Sequence, residues 1–427
     1  MDRRAMLPLL LLSLAACGDD VLDADLIDAE PGADHVVRVV DEVERGRMER
    51  FLADRIRPQD IVATAVLPGG DDVDCVAVEQ QPTLRHLGAK AGPLRTHPAD
   101  IPEGFVPSFD GGDDLVPVVE EEAVCPAGSV PFLHRTMDVL ERFETLEDFH
   151  GKVPVHLGGR DAAAGRFQDP IVAPRVGPTD LHQYAHAYKW VNNHGMDAVF
   201  NIWTPSVERS SEFSLSQMWV TRGFGNDLET VEVGWQVYRD LYGDWSPHLF
   251  LYFTPDNYGP GGCYNTDCNG WVQTSPTATP GMRLSSSSVP GGNQYAVRLA
   301  WYQDGNRDWW LYYQSGWIGY YPRALFDSRG LRDVSSLVDI GGEIIDGNAA
   351  RHTQTDMGSG ELPGAGFGQA AYSRNIHYIS TTNQLRDASG LTEDRTDRYC
   401  YDADVSYDAS WRYHLFFGGP GYNQNCQ

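Results

Sequence analysis

From Leu181 to the C-terminus the chain is written in short stretches of alternating apolar and polar residues punctuated by glycine-rich turns, with no helical period between them. That texture leaves few options. The segments His182–Tyr188, Ala198–Trp203, Phe213–Thr221, Thr230–Tyr238, Leu249–Phe253, Trp271–Thr274, Tyr295–Tyr302, Trp309–Tyr313, Trp317–Tyr321, Ile340–Ile345, Phe367–Tyr378 and Arg412–Phe417 are predicted strands. Many short strands with no intervening helices predict an all-β domain over residues 181–427, an antiparallel sandwich or barrel.

Two of these strands carry a carboxylate in an unusual setting. In VEVGW, Val231, Val233, Trp235 and Val237 alternate with Thr230, Glu232, Gly234 and Gln236, so Glu232 shares its face with a residue that has no side chain to cover it. Gln236 and Tyr238 lie further along that face. In IGGEI, Ile340, Gly342 and Ile344 form one face while Gly341 and Glu343 form the other. A single glutamate alternating with valines ordinarily faces water, so the pattern of either strand alone does not make a site.

The N-terminus is a targeting segment. Arg3 and Arg4 precede the apolar run MLPLLLLSLAA, which ends at Leu14-Ala15-Ala16-Cys17, the small-residue pattern cut ahead of a cysteine in bacterial lipoproteins. Residues 1–16 are therefore expected to be a signal peptide, and Cys17 the lipidated N-terminus of an exported, membrane-anchored protein on the periplasmic side or the cell surface. The apolar run is too short to span a bilayer as a helix. Residues 17–34 are acidic and patternless, as in a tether. Export places the remaining cysteines, Cys75, Cys125, Cys263, Cys268, Cys400 and Cys426, in an oxidising compartment, where an even number predicts disulfides. No CxxC pair or spaced histidines suggest zinc, and no metal or other cofactor is expected. Against a formal net charge of −27, nucleic acid is not an expected partner.

Between tether and β domain, residues 35–150 read as a smaller α+β domain. His35–Ile56 is a predicted helix ending before Pro58, Ile61–Leu67 and Asp74–Val78 are short strands around PGGDD, and Met137–Phe149 spaces apolar residues for a second helix. Residues 151–180 are rich in Gly, Pro and Arg, as expected of a linker open to proteolysis.

Several longer segments resemble one family. EFSLSQMWV, VEVGWQVYRDLYGD, FLYFTPDNYGPGGCYNTDCNGWVQTS, GWIGYYPRALF, IGGEI, HTQTDMGSGELPGAGFGQAAY and HLFFGGPGYNQNC follow one another as in the catalytic domain of the neprosin family of glutamic peptidases. DDVDCVAVEQQPTLRH and CPAGSVPFLHRT are similar to the activation-peptide region that precedes that domain. The resemblance implies a two-sheet β-sandwich with a groove across one concave face, catalytic glutamates at Glu232 and Glu343, cleavage after proline, and a propeptide that inhibits its own enzyme. It also implies short disulfide loops at Cys263–Cys268 and Cys400–Cys426, which leaves Cys75 for Cys125. The maturation site is expected within residues 151–180.

Two carboxyl groups close together in a partly desolvated groove cannot both ionise cheaply, so one keeps its proton and the pair supplies an acid and a base at once. Gln217, Gln236 and Tyr238 are candidates to bind the substrate backbone or the oxyanion. No HExxH, GxSxG or Walker loop offers another chemistry. Asp402–Asp408 lacks the glycine and terminal glutamate of a calcium loop and is expected to be a solvated loop. The rival readings are a carbohydrate-binding sandwich and a glycoside hydrolase using the same carboxylates, with a surface spacer as the alternative for residues 35–150.

Overall fold

The structure, a computed structural model, describes residues 41–107, 116–117, 122–152, 182–347 and 351–426. The signal segment, Cys17, the tether and almost all of the linker lie outside the described residues. Residues Val37–Gln427 cluster as one compact unit.

The N-terminal part runs α1 (Glu42–Arg55), β1 (Ile61–Val66), β2 (Asp72–Ala77), α2 (Pro82–Leu87), the two-residue β3 (Val116–Pro117), β4 (Ser129–Leu133), α3 (Met137–Leu140) and α4 (Leu146–His150). Asp41 caps α1 by accepting from the Glu44 amide. The second predicted helix is two helices, because Thr145 adopts an extended backbone and its hydroxyl accepts from the Asp148 amide, restarting the helix at Leu146. Strands β1, β2 and β4 form a small antiparallel sheet, tied by Cys75–Cys125.

The β domain begins with β5 (His182–Asn201), a single strand of 20 residues where the sequence predicts two. The predicted gap is filled because Asn193 accepts from the Gly195 amide with its own side chain, and Gly195, at φ 140°, carries the chain through a bend without leaving the ladder. Then follow β6 (Ser214–Arg222), β7 (Glu229–Val237), α5 (Arg239–Tyr242), β8 (His248–Thr254), β9 (Cys263–Tyr264), β10 (Val272–Gln273), β11 (Tyr295–Gln303), β12 (Trp309–Tyr313), β13 (Gly316–Tyr321), β14 (Ser335–Ile345), β15 (Ala371–Ser380), β16 (Leu385–Asp387), β17 (Thr392–Arg395), β18 (Asp402–Asp408) and β19 (Arg412–Gly418). The Asp402–Asp408 run is thus a strand, fully paired with β19.

Strand β5 belongs to both layers. Its first half pairs with β14 and β17, and the sheet continues through β6, β7, β8 and β9; its second half pairs with β11 and β15 in the other layer. The result is one curled, almost wholly antiparallel sheet folded over itself. The core lies between its halves, where Val231, Val233 and Trp235 of β7 meet Leu299, Trp301, Trp309 and Leu311. Phe253 of β8 and Tyr321 of β13 meet across the layers with tilted rings 4.7 Å apart, and Trp235 Nε1 donates to the Asn201 carbonyl at 2.9 Å. Disulfides join Cys263 to Cys268 and Cys400 to Cys426.

With the alternate side chains of β7 committed to the core, Thr230, Glu232, Gly234 and Gln236 face outward. One end of that outer face is roofed: Met48, Leu140, Phe143 and Phe149 pack on Phe213, Leu215, Tyr238, Phe250 and Tyr264.

Candidate active site

The register of four strands sets the outer face out as a grid. Glu343 on β14 lies opposite Tyr184 on β5 and Leu215 on β6; Gly341 lies opposite His186 and Gln217; Asp339 lies opposite Tyr188 and Trp219. On β7, Gly234 is opposite Gln217 and Glu232 is opposite Trp219. The two glutamates therefore stand on strands separated by β6, displaced diagonally, with Gln217 midway.

On a flat sheet they would not meet. Here both reach one ammonium: Lys152 Nζ lies 2.7 Å from Glu232 Oε2 and 2.7 Å from Glu343 Oε2, and donates to Gln217 Oε1 at 3.3 Å. Gln217 Nε2 donates to Glu343 Oε2 at 2.8 Å. The other oxygens are held too. Thr230 Oγ1 and Tyr258 OH each donate to Glu232 Oε1 at 2.8 Å, and His182 Nδ1 is 2.5 Å from Glu343 Oε1. Glu232, Glu343, Gln217 and Lys152 are all buried.

The glycines beside the glutamates do something other than leave room above them. A Cβ on Gly234 would meet the Ser216 carbonyl oxygen at 1.8 Å, and one on Gly341 would meet the Ala185 carbonyl oxygen at 2.4 Å. Each would strike the backbone of the neighbouring strand. The two glycines flank Gln217 and let adjacent strands close together there, which curls the sheet and brings the diagonal glutamates within reach of one cation.

Burial alone would raise the Glu343 carboxyl, but Lys152 and then His182 outweigh it and bring its pKa down to about 2. Burial works against the Lys152 ammonium, yet Glu232 and Glu343 together hold its pKa above the ordinary lysine value. Burial, reinforced by the Glu232 charge, pushes the Tyr258 hydroxyl well up, so it stays a donor. Nearby, His186 Nδ1 sits 2.8 Å from Asp339 Oδ1. Burial raises the Asp339 carboxyl to about 6, and Asp339 in turn raises the His186 imidazole despite the burial that opposes its charge.

Of the side chains singled out from sequence, Glu232, Glu343 and Gln217 come together. Gln236 is two positions further along β7, where Tyr242 OH donates to it at 3.1 Å. Tyr238 lies beneath the roof against Phe143 and Phe213. Four residues at the centre were not anticipated: Lys152, His182, Thr230 and Tyr258. Thr230 was legible from the alternation that placed Glu232. Lys152 carried no local signal, being one cation beside a Gly- and Pro-rich stretch.

The family model for neprosin matches residues 210–420, a span that contains both glutamates and Gln217. Residues 210–420 belong to the neprosin family. The chain is a peptidase of the glutamic type. Among solved structures, the neprosin domain is similar to scytalido-glutamic peptidase bound to a peptide-based transition-state analogue, at 9% identity and a TM-score of 0.30, over 56% of this chain and 98% of that one. It is also similar to SCP-B, a member of the eqolisin family of peptidases bound to the tripeptide Ala-Ile-His, at 10% identity and a TM-score of 0.29, with the same coverage of both chains.

Proposed function

We propose that this protein is an exported, lipid-anchored endopeptidase that cleaves polypeptides after proline with Glu232 and Glu343 as its acid and base, and that it is made as a zymogen kept latent by Lys152. The observation that carries this reading is the single ammonium on both carboxylates. A buried lysine there satisfies the charge of a pair that cannot otherwise stay doubly ionised, and it fills the place that a water and a scissile carbonyl would need. Lys152 follows directly on α4, whose Phe149 helps to roof the groove, and it precedes the segment in which we place the maturation cut.

Once Lys152 is withdrawn, the pair must take up one proton. Glu343 keeps His182 as a partner, so Glu343 is assigned the charge and the role of base; Glu232, held by two neutral hydroxyls, is assigned the proton. Glu343 removes a proton from water as the water oxygen attacks the carbonyl carbon. Glu232 and the Gln217 amide donate to the oxyanion, and a proton passes to the leaving amine as the C–N bond breaks. The aromatic residues under the roof, among them Phe213, Phe250 and Tyr264, become available to pack on a proline ring. Localisation outside the cytoplasm through lipid on Cys17 belongs to the same proposal.

The test is to incubate the full chain in acid with a proline-containing peptide and identify the products by mass. Glu232→Gln and Glu343→Gln are each expected to lower kcat by about a thousandfold. Full activity in either variant, or products cut away from proline, would overturn the dyad or the specificity respectively.

A further inference from the structure

Resting on that reading, the geometry points to a second substrate-binding stretch on the half of the groove away from the roof of Phe143 and Phe149, from the buried Trp219 past Tyr188 out to the exposed rings of Trp190 and Phe224. It would seat a proline or aromatic residue of the polypeptide about five positions from the scissile bond.

Both glutamates must come within hydrogen-bond reach of the scissile bond, and a substrate backbone laid over Gln217 across the line joining them brings that bond to both. On the register grid that line runs from Glu343 through Gln217 to Glu232. The crossing diagonal runs from Gln236 through Gln217 to Asp339 and on to Trp190, which lies opposite Leu337 at the next outward-facing step along β5. Toward Gln236 the path runs under the roof of Phe143 and Phe149. Toward Trp190 it runs over Asp339 and Trp219, which are buried, and comes out at Trp190 and Phe224, which are exposed.

That half is built of rings. On β5, His182, Tyr184, His186, Tyr188 and Trp190 share the outer face by alternation, while Ala185 and Ala187 point into the core. His186 stacks on Trp219 at 5.6 Å, and its Nδ1 sits 2.8 Å from Asp339 Oδ1, so the polar groups of the floor there are satisfied by each other. At the far end Trp190 is 46% exposed and Phe224, from the β6–β7 turn, is 57% exposed, with ring centroids 5.6 Å apart. Two large rings that touch each other and leave about half their surface in water gain little from the fold and offer an open face to a ligand. From Gln217 to Trp190 is two strand spacings of about 4.8 Å and four residues along the strand, roughly 16 Å, or about five residues of extended chain. The ladder begins at the dyad, because His182 bonds Glu343, so the occupant it fits is the polypeptide under cleavage rather than a separate partner.

The test compares two peptides with the same central proline, one of four residues and one extended by seven residues on each side with proline and tryptophan in the extensions. In the acid-treated full chain, Trp190→Ala and Phe224→Ala are each expected to lower the long-to-short ratio of kcat/KM five- to tenfold, chiefly through KM. Tyr399→Ala, at an exposed ring just before the C-terminal disulfide loop, leaves the ratio unchanged. An unchanged ratio in both groove variants overturns the proposal, and Phe224→Ala, on a different element, serves if Trp190→Ala fails to fold. Binding of the long peptide to the full chain carrying Lys152→Met and Glu232→Gln, followed by fluorescence anisotropy, is expected to weaken about fivefold with Trp190→Ala. Because this arm needs no turnover, it still reads the groove if the wild type cleaves neither peptide, which is the outcome that would sink the peptidase reading alone.

Discussion

At the scale of single residues, one cation bridges the two glutamates. Lys152 Nζ satisfies an oxygen of each glutamate and the Gln217 carbonyl oxygen, so removing its charge leaves two buried carboxylates facing each other. Like charges at that range force one to protonate, which is the arrangement general acid–base hydrolysis needs. Lys152→Met is therefore expected to give the unprocessed full chain measurable activity on a short proline peptide, at least tenfold above the wild-type chain before any cut, read in the first minutes after mixing. No gain in the uncut chain would mean that the roof, rather than the lysine, confers latency. Glu343 is better supported than Glu232 as an anion because a histidine stays with it, whereas Thr230 and Tyr258 offer Glu232 only hydroxyls.

At the scale of elements, the site depends on how closely four strands approach and on how the N-terminal part is fastened. Gly234 and Gly341 let β6 and β5 close against β7 and β14. Gly234→Ala must push β6 away, with an expected cost of about 2 kcal/mol and a drop in kcat as Glu232 swings from Gln217, measured by thermal unfolding and turnover on the same preparation. Fastening comes from a buried carboxylate. Asp267, in the Cys263–Cys268 loop, accepts from Arg135 Nε at 3.0 Å and Arg135 Nη2 at 2.7 Å, and lies 3.2 Å from Arg55 Nη2. Burial would raise its pKa, but Arg135 and Arg55 hold it below the usual aspartate range. Asp267→Asn leaves two buried guanidiniums without a counter-charge, at an expected cost of about 3–5 kcal/mol. Limited proteolysis should then release the N-terminal part faster than it does from the wild type; equal rates would place the fastening elsewhere.

At the scale of the whole molecule, the proposed latch is expected to weaken in acid. The Glu343 pKa is lowered from 4.5 to about 2 while Lys152 is in place, so its contribution to holding the latent state is complete above about 4.5 and is lost as pH falls from there toward about 2. Lys152, with its pKa raised, stays charged across that whole range and does not oppose the trend. With 60 acidic against 33 basic residues the chain reaches zero net charge near pH 4.7 and turns net positive below it, so self-repulsion also grows across the same window and favours opening. Processing of the full chain, followed by gel against pH, is expected to be negligible near pH 7 and to rise steeply below about pH 4.5. Processing at an even rate from pH 4 to pH 8 would contradict the latch.

Alternation of apolar and polar residues was enough to specify an all-β domain, to assign VEVGW and IGGEI their inward and outward faces, and, through longer motifs, to name Glu232, Glu343 and their family. These are properties of neighbouring residues, and a two-residue period records them locally. The length of β5 was not legible because its bend is held by the Asn193 side chain and Gly195, where the pattern alone reads as a break. Nor was the break between α3 and α4, made by one threonine cap inside an unbroken apolar spacing. The roles of Lys152 and His182 depend on chain segments far apart in sequence meeting over one curled face. The curl itself comes from glycines whose missing Cβ atoms matter only against another strand's backbone. Local order wrote the strands; the closeness of strands distant in sequence made two glutamates and a lysine into one site.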